Sequence, residues 1–228
     1  MIDNSVSGKD WISKNYSEEK LNFLKDNFNL SETLSKLLAI RNIKLEDVKV
    51  FLNPKIKNLI PNPFILKDMD KAVARSIKAI NEKQKIGIFG DYDVDGATST
   101  AILGNYFKEI GQKVEIYIPD RKTEGYGPSK KGFDKLILNG SNLIFTVDCG
   151  TLSFETIEHF QNKNTDILVL DHHQSELKLP NAFSVVNPNR YDDKSKLNYL
   201  CAAGVCFMFL VGLNNQLRKI NWFKKNKK

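Results

Sequence analysis

Short apolar runs alternate with amphipathic stretches from Lys85 onward, and this alternation governs the reading of the fold. The runs Ile86 to Phe89, Val114 to Ile118, Leu143 to Val147 and Ile167 to Leu170 have the length and side-chain type of buried strands. Between them, Ala97 to Ile110, Ser129 to Asn139 and Phe154 to Gln161 repeat apolar residues at helical spacing. Strand and helix in turn predict an α/β fold, a parallel sheet flanked by helices on both faces. Phe183 to Val186 predicts a further short strand before Asn187-Pro188.

Ahead of Lys85 the pattern is helical and connective. Leu34, Leu37, Leu38 and Ile40 follow a Ser31 start, and Leu45, Val48, Phe51 and Leu52 repeat until Asn53-Pro54 breaks the periodicity. Pro61 and Pro63 predict an extended connector over Leu59 to Phe64. Asp68 then stands where an N-cap belongs, before Ala72, Val73, Ile77 and Ile80. The expected division is a small helical lead-in and connector over 1–84 and an α/β domain over 85–228.

The longest uncharged run, Leu197 to Leu217, is apolar almost throughout only over the fifteen residues Tyr199 to Leu213. At about 1.5 Å per residue these reach roughly 22 Å, short of the ~30 Å hydrocarbon core of a bilayer, so a buried helix is expected and a membrane span is not. Met1 to Gly8 lacks the apolar core of a signal peptide, so export is not expected and a cytoplasmic setting is.

Composition narrows the class. With 41% hydrophobic and 27% charged residues, disordered and fibrous classes are excluded. Lys plus Arg number 34 against 27 acidic residues, giving +7 and a pI near 9.1, a balance that suits a polyanionic partner and equally a plain soluble basic protein. Three cysteines without a CxxC pair make neither a disulfide framework nor a zinc site. Cys201 and Cys206 on the apolar helix are expected in the core. The terminal stretch Lys224 to Lys228 reads as a solvated basic end.

Candidate chemistry lies where the strands end. Ligands of open parallel sheets bind at the carboxyl ends of the strands, and each of the four runs is followed there by an acidic residue. Asp91, Asp93 and Asp95 follow the first, Asp120-Arg121 the second, Asp148-Cys149-Gly150 the third, and Asp171-His172-His173 the fourth. Three carboxylates in one loop repel one another unless a cation compensates. An EF-hand is excluded, because the position eleven beyond Asp91 is Ile102 rather than a glutamate. Adjacent histidines facing acidic loops favour metal ligation, whereas His159, in mid-helix, is assigned no role. An oxygen-rich donor set with few imidazoles and no thiolate selects Mn2+ or Mg2+ over zinc or copper. Two such ions activating water beside a phosphoryl oxygen amount to a metal-dependent phosphoester or phosphoanhydride hydrolase.

Gly90-Asp-Tyr-Asp-Val-Asp-Gly96, Val147-Asp-Cys-Gly150 and Asp171-His-His173 resemble the successive motifs of the DHH phosphoesterase superfamily. Glu124-Gly-Tyr-Gly127, Asn187-Pro-Asn189 and the helical lead-in are similar to its RecJ branch of bacterial single-strand-specific 5′ to 3′ DNA exonucleases. The resemblance runs from about Leu34 to Phe223. It implies that Asp93 binds one metal ion, Asp95 the second, that Asp148 bridges both, that His172 joins the second, and that Asp91 is a further ligand of the first. Asp93, Asp95, Asp148, His172 and His173 would then be catalytic, with His173 and Asp171 orienting the site or contacting the scissile phosphate. Arg121, Tyr126 and Asn189 are the expected contacts to nucleic acid. Cys149 is read as packing rather than as a nucleophile.

The implied reaction is hydrolysis of the phosphodiester at the 5′ end of a single strand, releasing mononucleotides in DNA repair and recombination. Single-stranded DNA is the implied partner, with a single-strand-binding protein and a recombination helicase beside it. The resemblance also calls for a further metal-binding aspartate, a DHH-associated domain and an oligonucleotide-binding fold after Trp222-Phe223. The 228 residues are therefore expected to be an incomplete form with weak or absent nuclease activity by themselves. Two other readings stand beside this one: a small-substrate hydrolase acting on pyrophosphate, short oligonucleotides or cyclic dinucleotides, and a catalytically silent nucleic-acid-binding scaffold.

Overall fold

A computed structural model describes residues 6–10, 12–161 and 165–226. The chain divides into two compact units, Met1–Ile60 and Pro61–Lys228.

The first unit is helical. α1 (Glu18–Phe28) and α2 (Glu32–Ile40) begin at Ser17 and Ser31, whose hydroxyls accept from the N–H groups of Lys20 and Leu34. Leu24, Leu38, Ala39 and Val48 form its core. The short α3 (Val48–Leu52) stops before Asn53-Pro54, and α4 (Ile56–Leu59) follows.

The second unit opens with α5 (Met69–Asn81) and continues β1 (Lys85–Gly90), α6 (Val94–Glu109), β2 (Val114–Tyr117), α7 (Arg121–Glu124), α8 (Lys130–Leu138) and β3 (Ser141–Val147). α9 (Phe154–Gln161), β4 (Asp166–Leu170), β5 (Ser184–Val186), α10 (Ala202–Lys219) and α11 (Trp222–Lys225) complete it. All pairings are parallel, in the order β2-β1-β3-β4-β5.

Alternation along β3 sends neighbouring side chains to opposite faces. Ile144 packs with Phe89, Phe133 and Phe160 beneath α8 and α9, where the Phe133 and Phe160 rings stack at 5.2 Å. Phe145 points the other way, with ring centroids 5.4 Å from Phe107 of α6 and 5.4 Å from Phe209 of α10. Each phenylalanine buried in this way contributes about 1.5–3 kcal/mol, so the sheet is held from both sides.

Several expectations change. α5 packs on β3, β5 and α10, so the compact unit carrying the sheet begins at Pro61 rather than at Lys85. Asp68 occupies the N-cap position but its side chain does not cap. Its backbone is left-handed (φ +61°), and the carboxylate pairs instead with Arg190 at 2.7 Å and Lys71 at 2.9 Å. The connector holds a 3-10 turn over Pro63–Ile65, because Asn62 accepts from the Phe64 N–H. Cys206 is buried as expected, but Cys201 is exposed at the start of α10. Among the described residues, no helix is long and apolar enough to cross a membrane.

Candidate metal centre

The strand order makes β1 the point where the connections diverge: β2 lies on one side of it and β3 on the other. The loops leaving β1 and β3 therefore part and open a crevice at their carboxyl ends. Asp91 and Asp148 are the first residues beyond those two strands, and Asp171-His172-His173 follows β4 next to them.

Local chemistry shapes each arm. Asp93 caps α6 by accepting from the Gly96 N–H at 2.9 Å, so the helix starts at Val94 rather than Ala97. Asp95 consequently lies in the first helical turn and not in the loop. There its two oxygens accept from the N–H groups of Ala202 and Ala203, both at 2.8 Å, at the opening of α10. Gly96 packs so closely on the loop that a Cβ would lie 2.6 Å from the Asp91 carbonyl oxygen. Asp148 is held left-handed at φ +60°, a conformation uncommon outside glycine, asparagine and aspartate.

Asp148 is the hub. The ligand-capable atoms of Asp91, Asp93 and Asp148 lie within 4.8 Å of one another, and so do those of Asp148, His172 and His173. His172 Nε2 is 3.3 Å from Asp148 Oδ1 and 3.6 Å from Asp95 Oδ2. Burial, then the charges of Asp95 and Asp93, push the Asp148 carboxyl up to about 8. Asp91 is also raised, by burial first and by the Asp93 charge in smaller part. Asp93 is lowered, chiefly by its bond from Gly96. Mutual repulsion is thus not the leading effect at Asp91 or Asp93; burial moves the first up and capping moves the second down.

Asp171 works behind the histidines. It is buried and accepts from Thr151 N–H at 3.1 Å, His172 N–H at 2.7 Å and His173 Nδ1 at 2.8 Å. Burial would raise its carboxyl, but the bonds from His173 and Thr151 hold it below the usual range. The partnership with Asp171 raises His173 in turn. Tyr126 closes this side, its hydroxyl 3.2 Å from the Asp148 carbonyl oxygen and 3.2 Å from His173 Nε2.

A divalent ion fits these residues. Asp91 Oδ1 and Asp148 Oδ1 are buried and have no hydrogen-bond donor, an arrangement that costs several kcal/mol for a carboxylate unless a cation compensates, roughly. Carboxylates with two imidazoles form the oxygen-rich set that manganese or magnesium prefers.

The model of the N-terminal domain of the DHH family matches residues 85–226. The chain belongs to the DHH family. Over 208 residues, 91% of this chain and 26% of the relative, it is 30% identical to the single-stranded-DNA-specific exonuclease RecJ of Bacillus subtilis. The RecJ of Escherichia coli is 32% identical over 85% of this chain and 33% of its own length. The crystal structure of RecJ in complex with Mn2+ from Thermus thermophilus matches with a TM-score of 0.69 and 25% identity, covering 88% of this chain and 28% of that one. The chain thus spans about a quarter to a third of the length of the curated relatives named here.

Within this DHH-family domain the structure brings Asp91, Asp93, Asp148, His172 and His173 together and keeps Asp95 beside them, outside both donor clusters. Arg121 lies over the Tyr92 ring, 5.2 Å from its centroid, on the β2 side of the site. Asn189 stands beside the histidines, its side-chain amide donating to the His172 carbonyl oxygen at 2.5 Å. Cys149 is buried, donates to the Val147 carbonyl, and is held far above its usual range by burial, consistent with packing. Sequence reasoning missed the roles of Glu124, Thr151 and Asn187. Glu124 accepts from Tyr117 Oη at 2.7 Å and Ser129 Oγ at 2.7 Å, anchoring the loop that presents Tyr126. Its place in the Glu124-Gly-Tyr-Gly127 segment was the available signal.

Proposed function

We propose that the chain carries the metal-dependent phosphodiesterase centre of a 5′ to 3′ exonuclease acting on single-stranded DNA and releasing mononucleotides, in DNA repair and recombination. The carrying observation is the pair of buried, donor-free oxygens on Asp91 and Asp148, converging with His172 and His173 at the sheet's switch point. The relatives named for single-strand exonuclease activity, and the Mn2+ complex among the similar structures, support the substrate class and the ion.

In this reading Asp91 and Asp93 would hold one ion and His172 and Asp95 a second, with Asp148 shared between them. Mn2+ or Mg2+ bound there supplies an activated water and Lewis-acid stabilisation of the phosphoryl oxygens. The protein's own contribution is orientation. Asp171 fixes His173 through Nδ1, leaving Nε2 and the Tyr126 hydroxyl facing the crevice to contact the phosphate. Arg121, beside Tyr92, offers a bidentate cation to the strand's backbone. The acidic and histidine motifs present in this chain argue against a silent scaffold. The same reading implies a cytoplasmic setting, with a single-strand-binding protein and a recombination helicase as protein partners.

Calorimetric titration of Mn2+ into the wild-type chain and into Asp148→Ala tests the assignment. Binding is expected in the first and lost in the second. Equal binding in both rejects the centre, and so does any turnover of a 5′-labelled single strand that survives the substitution.

A further inference from the structure

Every backbone polar group of the His172–His173 dipeptide is held by a side chain. The two N–H groups donate to Asp171 Oδ1, at 2.7 Å and 3.2 Å. The two carbonyls accept from consecutive asparagines across Pro188: His172 from Asn189 Nδ2 at 2.5 Å and His173 from Asn187 Nδ2 at 2.8 Å. Asn187 is fully buried, and both its amide hydrogens and its oxygen are engaged. The same Nδ2 donates to Thr151 Oγ1 at 2.8 Å, and its Oδ1 accepts from the Asn189 N–H at 2.7 Å.

One side chain therefore ties together three loops, those after β3 (Thr151), β4 (His173) and β5 (Asn189). Only an amide does this, since it offers two donors on one nitrogen and an acceptor alongside. Aspartate, its isostere, has no donor when ionised and would add a charge; leucine would strand three polar groups in the interior, each at a cost of about 1–3 kcal/mol. Asp171, by contrast, reaches only the amide side of the dipeptide and the ring of His173. The His172 carbonyl shares its peptide plane with the His173 N–H, so Asp171 and Asn189 hold that plane from its two edges, whereas the His173 carbonyl is held by Asn187, and rotation of its peptide would swing the imidazole out of the crevice.

We infer that Asn187 is a positioning residue of the metal centre: by locking the His173 carbonyl, and the His172 carbonyl through Asn189, it sets the direction in which both imidazoles face Asp148. The inference rests on the reading of His172 and His173 as groups of that centre. It extends that reading from the side chains that touch an ion or phosphate to the buried amide that aims them.

The chain has three histidines, so long-range 1H–15N correlations of the imidazole rings give a direct readout in the metal-free protein, with His159 on α9 as internal control. In Asn187→Ala and in the isosteric Asn187→Asp, the His172 and His173 correlations are expected to move while those of His159 stay. Mn2+ affinity should fall by about 10- to 100-fold, the usual effect of losing a group that orients a ligand. Unchanged His172 and His173 correlations in either folded variant overturn the inference. Should both variants fail to fold, Thr151→Val removes one of the amide's acceptors without changing shape. A shift of the His173 ring there supports the inference, and none overturns it. Absence of Mn2+ binding by the wild type rejects the metal reading separately, because the ring correlations are recorded without metal.

Discussion

The carboxylate of Asp95 caps a helix other than its own: its oxygens accept from Ala202 and Ala203 N–H, each at 2.8 Å, at the first turn of α10. A candidate ligand is thereby tied to the long helix that covers one face of the sheet. Removing a capping carboxylate costs about 0.5–2 kcal/mol. Asp95→Ala should therefore lower the urea midpoint even in EDTA, where ligand loss has no effect. Ala202→Pro deletes one donor at a helical position that tolerates proline, after Cys201 in an extended conformation that suits a following proline. It should weaken Mn2+ binding with most of the fold kept. An unaltered midpoint for Asp95→Ala contradicts the capping role.

Asp148 opposes the stability of the metal-free protein at neutral pH. Its folded carboxyl titrates near 8 against an ordinary 3.8. For an acid raised on folding, the stabilising contribution is complete below about pH 4 and is lost as pH rises towards 8. At about 1.4 kcal/mol per unit, roughly 3–5 kcal/mol is at stake by neutral pH. Asp148→Asn, which tolerates the left-handed backbone, should raise the metal-free urea midpoint at pH 7.5 and change it little at pH 4, while abolishing Mn2+ binding. In the wild type, Mn2+ affinity should climb with pH up to about 8, because the ion displaces that proton. A flat affinity profile between pH 6 and about 8 would count against this account.

Glu124 behaves oppositely. Burial would raise it, but bonds from Ser129, Tyr117 and the Asp120 N–H hold it down at about 2. A lowered acid contributes stability above its ordinary 4.5 and loses it as pH falls towards 2. Glu124→Ala should cost about 2–3 kcal/mol at neutral pH through the unpaired Tyr117 and Ser129 hydroxyls. Limited proteolysis should then cut within 120–129 faster than elsewhere in the sheet unit. Cleavage at the wild-type rate argues that the loop is anchored by something else.

Gly96→Ala should disturb the centre without touching a donor, since the new methyl would lie 2.6 Å from the Asp91 backbone. The strand-to-helix turn must open, displacing Asp91 and Asp93 together. Mn2+ binding weaker by tenfold or more is expected; binding equal to the wild type would show that the turn yields without moving its carboxylates.

Much of this was legible along the chain because it depends on local rules. Short apolar runs and period-3.6 patterning placed β1 to β5 and the longer flanking helices, and the placement of acidic residues after buried runs pointed to the carboxyl edge of a sheet. Asp91, Asp93, Asp148, His172 and His173, singled out in this way, come together in the fold. Asn187, Thr151 and Glu124 were not, since a buried amide or carboxylate acquires its meaning from partners 14 to 36 residues away, or from a loop's closure.

Most of the elements and the chemistry lining the strand ends can be read along the chain, because propensity, capping and side-chain type act within a few residues. It is tertiary packing that sets β1 beside β3 and so joins Asp91 to Asp148. It alone turned Asp95 towards α10, since helix packing selects that neighbour. It also set the Asn189 amide against the His172 carbonyl, because a buried peptide oxygen must find a donor and this amide is the one within reach.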